Sequence, residues 1–358
     1  MNAKNFLSLT AVFLVAVATI GTVVSNNSTD KPEADILPVI TSEPEPTPLP
    51  QRSFTITATG DCTFATDINA SRELGFVSYA EKYGNDYFLQ NVRSIFEEDD
   101  LTLVNFEGTL SDRGERAIKT FAFRGDPSYV NVLADSSVEA ANLANNHSLD
   151  YGQISLDDTK MYLEEEGILH CRGAEDVCVT DINGIKVGLV GINYLNDVMR
   201  TELESAIYTA KNMGAEIVIL SIHWGVEKAT APNAEQIEVA HMAIDCGADL
   251  VIGTHPHVLQ GFEKYKGRYI CYSLGNFCFG GNNAPSDMDT AIFRQTFTLN
   301  GTDLADDDNV QIIPCRISSV NGYNNYQPTP AEGERKAAIE TKLTSYTSAL
   351  GDLELNFR

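Results

Sequence analysis

Positive charge is scarce in this sequence. Its 358 residues hold 25 Lys and Arg against 50 Asp and Glu, a formal net charge of −25. That balance excludes nucleic acid and argues against adhesion to anionic lipid headgroups. It also repels polyanions at long range, so an acidic substrate needs a local positive centre, which a bound cation supplies. The seven cysteines contain no Cys-x-x-Cys pair, which removes zinc knuckles and thioredoxin-type redox sites. Cys171 and Cys178 are close enough in sequence for a local disulfide, and the other five read as buried thiols. No Gly-x-Ser-x-Gly elbow and no Gly-rich phosphate loop of the P-loop or Rossmann kind occurs, which sets aside serine-hydrolase and nucleotide-cradling chemistry. Tryptophan is reduced to Trp224, and histidine to six residues.

What is present is enough for a sizeable core, because 43% of the residues are hydrophobic and only 21% charged. Four segments follow from composition. Residues 1–25 join Lys4 to an apolar run from Phe6 to Val24, close to the roughly 20 residues that span a bilayer. With the cation on the N-terminal side, the N-terminus stays in the cytoplasm and the rest is exported. The expectation is a single-pass cell-membrane protein held through residues 5–25 with an extracytoplasmic domain, or a secreted one if the segment is cleaved. Residues 26–52, with Pro32, Pro38, Pro44, Pro46, Pro48 and Pro50 among acidic and hydroxyl side chains, read as a disordered acidic linker. Residues 53–320 read as the main domain, and 321–358 as a C-terminal helical extension packing on it.

Within the main domain, apolar and β-branched runs alternate with helical periods. Strands are expected at Phe54–Ala58, Leu101–Val104, Val138–Leu143, Glu216–Ile222 and Asp249–Gly253, then Arg268–Ser273 and two near 291–299 and 309–318. Asn183-Gly184 between two apolar runs predicts a tight hairpin. Helices are expected over Asp86–Glu98, Leu156–Glu166, Thr201–Met213, Asn233–Cys246 and Glu332–Leu350. The pattern is α/β: a layered β-sandwich flanked by helices.

The chemistry collects where the core strands end. Asp61 follows the first, Asn105 and Glu107 the second, Asn145, Asn146 and His147 the third, His223 the fourth, and His255 and His257 the fifth. Ligands of open α/β sheets bind at the carboxyl ends of strands. Four of the six histidines stand there, and His170 and His241 read as structural. A donor set of carboxylate, amide oxygen and imidazole without thiolate suits one or two divalent ions such as Zn, Mn, Fe or Mg. Such an ion acts as a Lewis acid and brings the pKa of a coordinated water down to about 7, which is the chemistry of a hydrolase.

The stretches Gly60-Asp61, Asn105-Phe106-Glu107-Gly108, Ala144 through Gly152, His223-Trp224-Gly225-Val226-Glu227, Gly247 through Gly261 and Tyr272 through Phe277 occur in one order over about 52–280. In these the chain resembles the CapA family, the poly-γ-glutamate capsule synthesis proteins, a branch of the calcineurin-like metallophosphatase superfamily. The resemblance implies a metallophosphatase-like fold. It implies that Asp61, Glu107, Asn146, His223, His255 and His257 hold metal, Glu107 standing where the superfamily has a bridging aspartate. His147 and Asp150 become the catalytic candidates, His147 steadying the leaving group. Asn105, Asn145, Arg124, Trp224 and Asn276 are candidate substrate contacts; Arg124 reads at least equally as a surface cation, and Trp224 reads more readily as a packing residue with partial exposure than as a pocket wall. Position 63, where the superfamily places a histidine, is Thr63.

The function implied is synthesis, export or processing of poly-γ-glutamate or a related capsule polymer by a metal-dependent hydrolase or transferase. The alternatives are a non-catalytic accessory or scaffold component of a membrane-bound synthase, and a metal-dependent phosphoesterase. The substrate is accordingly an anionic polymer or a phosphoester.

Overall fold

The computed structural model describes residues 50–71, 73–195, 200–306 and 309–358. The segment 1–25 and all but the last three residues of the linker 26–52 lie outside the described residues. No helix among the described residues is long and apolar enough to cross a membrane.

In chain order the strands are β1 (Gln51–Thr63), β2 (Leu101–Phe106), β3 (Thr109–Leu110), β4 (Arg124–Gly125), β5 (Ala140–Asn142), β6 (Leu169–Cys171), β7 (Cys178–Ile182), β8 (Ile185–Tyr194), β9 (Ile217–Trp224), β10 (Leu250–Thr254), β11 (Phe262–Tyr265), β12 (Arg268–Cys271), β13 (Asn276–Phe279), β14 (Asp289–Asn300), β15 (Asp303–Leu304), β16 (Val310–Arg316) and β17 (Thr329–Pro330). The helices are α1 (Phe76–Tyr83), α2 (Arg93–Phe96), α3 (Asn131–Ala134), α4 (Gln153–Glu165), α5 (Arg200–Asn212), α6 (Ala234–Cys246) and α7 (Gly333–Ser348).

A nine-stranded sheet runs β17-β16-β14-β1-β2-β5-β6, with β13 added to β1 and β15 to β14. A six-stranded sheet runs β11-β12-β10-β9-β8-β7. Strands β1, β2, β5 and β6 are parallel, as are β8, β9, β10 and β12, so each sheet points the carboxyl ends of its parallel strands to one edge. Strand alternation sorts the apolar side chains into three layers. Phe54, Ile56, Leu101 and Leu103 meet Ile217, Ile219, Leu250 and Ile252 between the sheets. Val104, Phe106 and Ala141 pack outward under α1 to α4. Val218, Leu220 and Val251 pack outward under α5 and α6. Ile339 and Leu343 of α7 enter the layer between the sheets. The result is the layered sandwich flanked by helices that the sequence pattern predicts.

Local signals act as their chemistry requires. Asn183 and Gly184 take φ of 53° and 78°, the left-handed pair of a two-residue hairpin joining β7 to β8. Asn233 caps α6, with Gln236 completing a capping box. The continuous helix expected over Asp86–Glu98 is instead two short helices with turns between them. Phe88, Leu89, Val92, Ile95 and Phe96 are buried at helical spacing, but Phe88 stacks on Phe76 at 4.1 Å and Gly84 turns the chain at φ 81°. Tertiary packing overrides the helical period there. All seven cysteines are free thiols, so Cys171 and Cys178 form no disulfide.

Candidate metal centre

The site begins with a break in register. Ala58 pairs with Leu103, but Asp61 pairs with Asn105, so β1 carries one extra residue. Upstream of this bulge, even-numbered residues of β1 face the other sheet; beyond it, Asp61 faces that way while Cys62 and Phe64 turn outward. A bulge that re-aims one side chain is a common device beside active sites. Gly60 makes it possible, because a Cβ there would lie 1.9 Å from the Gly275 carbonyl oxygen. That carbonyl accepts the Asp61 N–H at 2.9 Å. Asp61 Oδ1 accepts from Asn105 Nδ2 at 2.8 Å, and Oδ2 lies 3.0 Å from His257 Nδ1.

Glu107 follows β2 and is fully buried. Its backbone is pinned on both sides: the N–H donates to the Cys62 carbonyl, and the Glu107 carbonyl accepts from Thr63 Oγ1, both at 2.7 Å. Its carboxylate is not pinned. Neither oxygen meets a hydrogen-bond donor among the described residues. Around Oε1 stand His147 Nε2 at 3.7 Å, His223 Nε2 at 3.8 Å and His257 Nε2 at 3.9 Å.

The turn after β5 supplies the next donors. Asn146 Oδ1 lies 2.9 Å from His223 Nε2. His147 Nδ1 contacts Asp150 Oδ2 at 2.6 Å, which fixes the ring and leaves Nε2 toward Glu107. Asp150 is itself held, by the Phe123 N–H at 2.6 Å and by Lys119 Nζ at 2.7 Å. Lys119 also donates to the Asn146 carbonyl at 2.9 Å, tying three members of one turn together.

The six-stranded sheet brings the remaining imidazoles. His223, near the end of β9, faces inward like Ile217 and Ile219, while Trp224 faces the helices. Thr254 Oγ1 holds His223 Nδ1 at 3.0 Å, and His255 Nδ1 lies 3.1 Å from His223 Nε2. His255 and His257 flank Pro256 with φ of 94° and 58°, a left-handed conformation that costs a histidine free energy and clusters at functional sites. Asn276 braces the turn, with its Oδ1 3.0 Å from His257 Nδ1 and its Nδ2 donating to the His257 carbonyl at 3.2 Å.

Electrostatics follow from burial and crowding. Burial, reinforced by the Asp61, Asp150 and Glu227 carboxylates and opposed by His257, pushes the Glu107 carboxyl up to about 8. Burial works against a charge on His257 as well, but Glu107 and Asp61 outweigh it and raise the ring to about 9. Burial together with His257 takes His255 down to about 4. His223 falls well below the ordinary imidazole value through burial and the three neighbouring rings. Burial also lowers His147, against the pull of Asp150. The rings of His147, His223 and His255 are thus held in the neutral form, the form in which imidazole binds metal.

The structure therefore gathers Asp61, Glu107, Asn146, His147, Asp150, His223, His255 and His257 at one point. Asp61, Glu107 and His223 offer ligand atoms within 4.8 Å of one another. A cation fits this set, because a buried carboxylate without a donor is otherwise costly and the surrounding atoms are of ligating type. Not every expected contact faces the centre. Asn105 and Asn145 are framework: Asn105 Oδ1 accepts from Asn142 and Asn145, and Asn145 also donates to the Phe106 carbonyl at 2.8 Å. Arg124 is occupied elsewhere, donating to the Arg113 and Gly114 carbonyls and lying over the Tyr151 ring at 4.1 Å. Trp224 is buried, its indole N–H donating to the Tyr272 carbonyl at 2.9 Å. His170 and His241 stay outside the centre, against Glu164 and Glu263. Lys119 and Asn142 went unread in the sequence, each an ordinary polar residue with no motif to mark it, while Thr254 lay inside a recognised stretch without its contact to His223 being visible.

Fold and site together define an α/β sandwich with a carboxylate–imidazole centre at the strand ends. The family model of the bacterial capsule synthesis protein PGA_cap matches residues 55–281, and the chain belongs to that family. It is 30% identical over 262 residues to the PGA biosynthesis protein CapA of Bacillus subtilis, covering 67% of this chain and 68% of that one. It is 28% identical over 283 residues to the capsule biosynthesis protein CapA of Bacillus anthracis, covering 71% and 67%. A probable polyglutamine synthesis accessory protein of Mycobacterium tuberculosis is 27% identical over 256 residues, covering 61% and 66%. A solved structure from Thermus thermophilus is similar at a TM-score of 0.37 and 13% identity, over 70% of this chain and 97% of that one.

Proposed function

We propose that this chain is a metal-dependent hydrolase or transferase acting on poly-γ-glutamate or a related anionic capsule polymer, outside the cytoplasm and tethered through residues 1–25. One observation carries the reading: the buried Glu107 carboxylate, without a hydrogen-bond donor among the described residues, surrounded by three imidazoles and Asp61. The names of the relatives, which concern capsule and PGA biosynthesis, supply the polymer.

Asp61, Glu107, Asn146, His223, His255 and His257 would hold one or two divalent ions of the Zn, Mn, Fe or Mg class. The ion would contribute Lewis acidity toward an amide carbonyl or phosphoryl oxygen. The chain's own part in proton transfer falls to His147. With Nδ1–H donated to Asp150, Nε2 is the basic atom, 3.7 Å from Glu107 and aimed into the centre. It can take a proton from a nucleophile and return it to a leaving group. Phe123 lies against the same ring, with centroids 4.6 Å apart, and keeps water from that side.

The test combines elemental analysis of the purified chain with a substrate panel of poly-γ-glutamate and simple phosphoesters. The expected result is bound divalent metal, lost in His223→Ala, and cleavage of one substrate class that fails in His147→Ala. Phosphoesterase activity alone would move the chemistry to phosphoesters. A metal-free wild type whose polymer-forming function survives His223→Ala and His257→Ala would instead support the accessory reading, for which one relative's name speaks.

A further inference from the structure

Two arginines of this acidic chain face one cavity at the edge of the sandwich that carries the metal centre. The cavity measures about 320 Å³ and is lined by Pro285, Ser286, Met288, Arg316, Asn321 and Arg335. Arg316 ends β16 and pairs in register with Asp289 at the start of β14. By strand alternation both face inward, like Ile312 on β16 and Phe293 on β14, which belong to the layer between the sheets. β14 runs antiparallel to β1, so its first residues stand at the edge where Asp61 lies near the end of β1. The two are stitched together there: Thr290 Oγ1 donates to the Leu274 carbonyl at 2.8 Å, and the next carbonyl, of Gly275, takes the Asp61 N–H. With β13 wedged in between, Arg316 is two to three strand spacings from Asp61, roughly 10–15 Å.

Charge around this cavity does not cancel. Arg335 pairs with Asp289, and Lys342 bridges Asp289 and Asp287. Arg316 pairs with no carboxylate among the described residues. Its Nη1 donates to Asn321 Oδ1 at 2.7 Å, its Nη2 meets Met288 Sδ at 3.8 Å, and its Nε is buried without an acceptor. A neutral amide and a thioether are poor partners for a guanidinium. A planar fork of N–H donors left in this state is suited to a carboxylate or phosphate. On a chain of net charge −25 it is a local point of attraction for an anion.

We propose that this cavity is an anion subsite, taking a carboxylate of an extended anionic chain whose reacting bond lies at the metal centre. Its tie to that bond rests on the metal-centre reading above. The spacing favours a polymer over a small phosphomonoester, since only a repeating anion reaches both places at once.

Binding of a short oligo-γ-glutamate to the full chain tests this, with inorganic phosphate as the competing probe. Arg316→Gln is expected to weaken oligomer binding about tenfold or more, the loss of a charge-assisted contact. Metal content and melting temperature should be those of wild type. Should Arg316→Gln fail to fold, Arg316→Lys, which keeps the charge but not the fork, should still weaken binding severalfold. Wild-type affinity in a folded Arg316 variant overturns the subsite, as does a wild type that binds no oligomer. Displacement of the oligomer by inorganic phosphate at matched concentration also overturns it, as general anion attraction. The two readings fail separately. A metal-free wild type with Arg316-dependent oligomer binding sinks the metal centre and leaves the subsite standing. A metal-loaded protein indifferent to Arg316 does the reverse.

Discussion

Thr63 Oγ1 donates to the backbone carbonyl of Glu107 at 2.7 Å, both residues being fully buried. The position where the sequence resemblance implies a histidine is used here to fix the strand end that carries the carboxylate. Thr63 is thereby engaged with the backbone, and a hydroxyl stands where the resemblance led one to expect an imidazole donor. We expect one tightly held divalent ion per chain, on Asp61, Glu107 and His223, and a second equivalent only in Thr63→His. The metal-to-protein ratio by elemental analysis reads this out, and two tightly held ions in the wild type would contradict it. Thr63→Val, which leaves the Glu107 carbonyl without its donor, should cost about 1–3 kcal/mol of stability in denaturant titration.

Glu107→Gln should reverse sign with metal. In chelator at neutral pH, the variant removes a buried carboxyl that folding forces to take up a proton, its value rising from 4.5 to about 8, and should be more stable than wild type by about 1–3 kcal/mol. With metal present the wild type gains binding free energy that the variant lacks, and the order should invert. Melting curves of both proteins with and without metal settle it; a variant less stable under both conditions would show that Glu107 has a structural partner.

Gly60→Ala should be far worse than its size suggests. The added methyl would sit 1.9 Å from a backbone oxygen that cannot swing away. A loss of about 3 kcal/mol or more is expected, together with lost metal, because the bulge that aims Asp61 would open. A variant with near-native melting and metal content would mean that Asp61 does not depend on the bulge.

Acid sensitivity should trace to Glu98. Its carboxyl is held down to about 2 by hydrogen bonds from Arg358 first and Arg294 second, against 4.5 for a free glutamate. A depressed folded-state value means that the contribution is full above about 4.5 and disappears as pH falls through about 2. The stability gap between wild type and Glu98→Gln, measured by denaturant titration across that range, should be constant at neutral pH and close toward pH 2. A gap that stays constant down to pH 2 would contradict the assignment. Because Glu98 is half exposed, the gap itself should be small.

The donors of the centre were legible because each stands where a parallel strand ends, and strand ends are visible as apolar runs that stop. The hairpin at Asn183-Gly184 and the helix beginning at Asn233 were legible from local signals as well. What stayed hidden depends on partners distant in sequence. The bulge at Gly60 exists only against Asn105 and Gly275. Asn276–Phe279 was not read as a strand, because four residues with no alternation become one only beside β1. Lys119 reaches Asp150 from 31 residues away, and no local pattern around the lysine signals that contact. For Arg124 and Trp224 the sequence left two readings open, and the packing supports the plainer one. Both are chemically suited to a substrate, and local packing takes them first.

The centre straddles the seam between the two sheets. Carboxylates and amides come from the nine-stranded sheet and the His223, His255 and His257 rings from the six-stranded one; Asp61 and the His255 N–H meet across 194 residues of sequence. No half of the chain can assemble the site alone, so capture of an ion would have to wait until both halves have closed on each other. Once captured it would act as a clasp on that closure, and slow opening of the seam would govern the rate at which it is released.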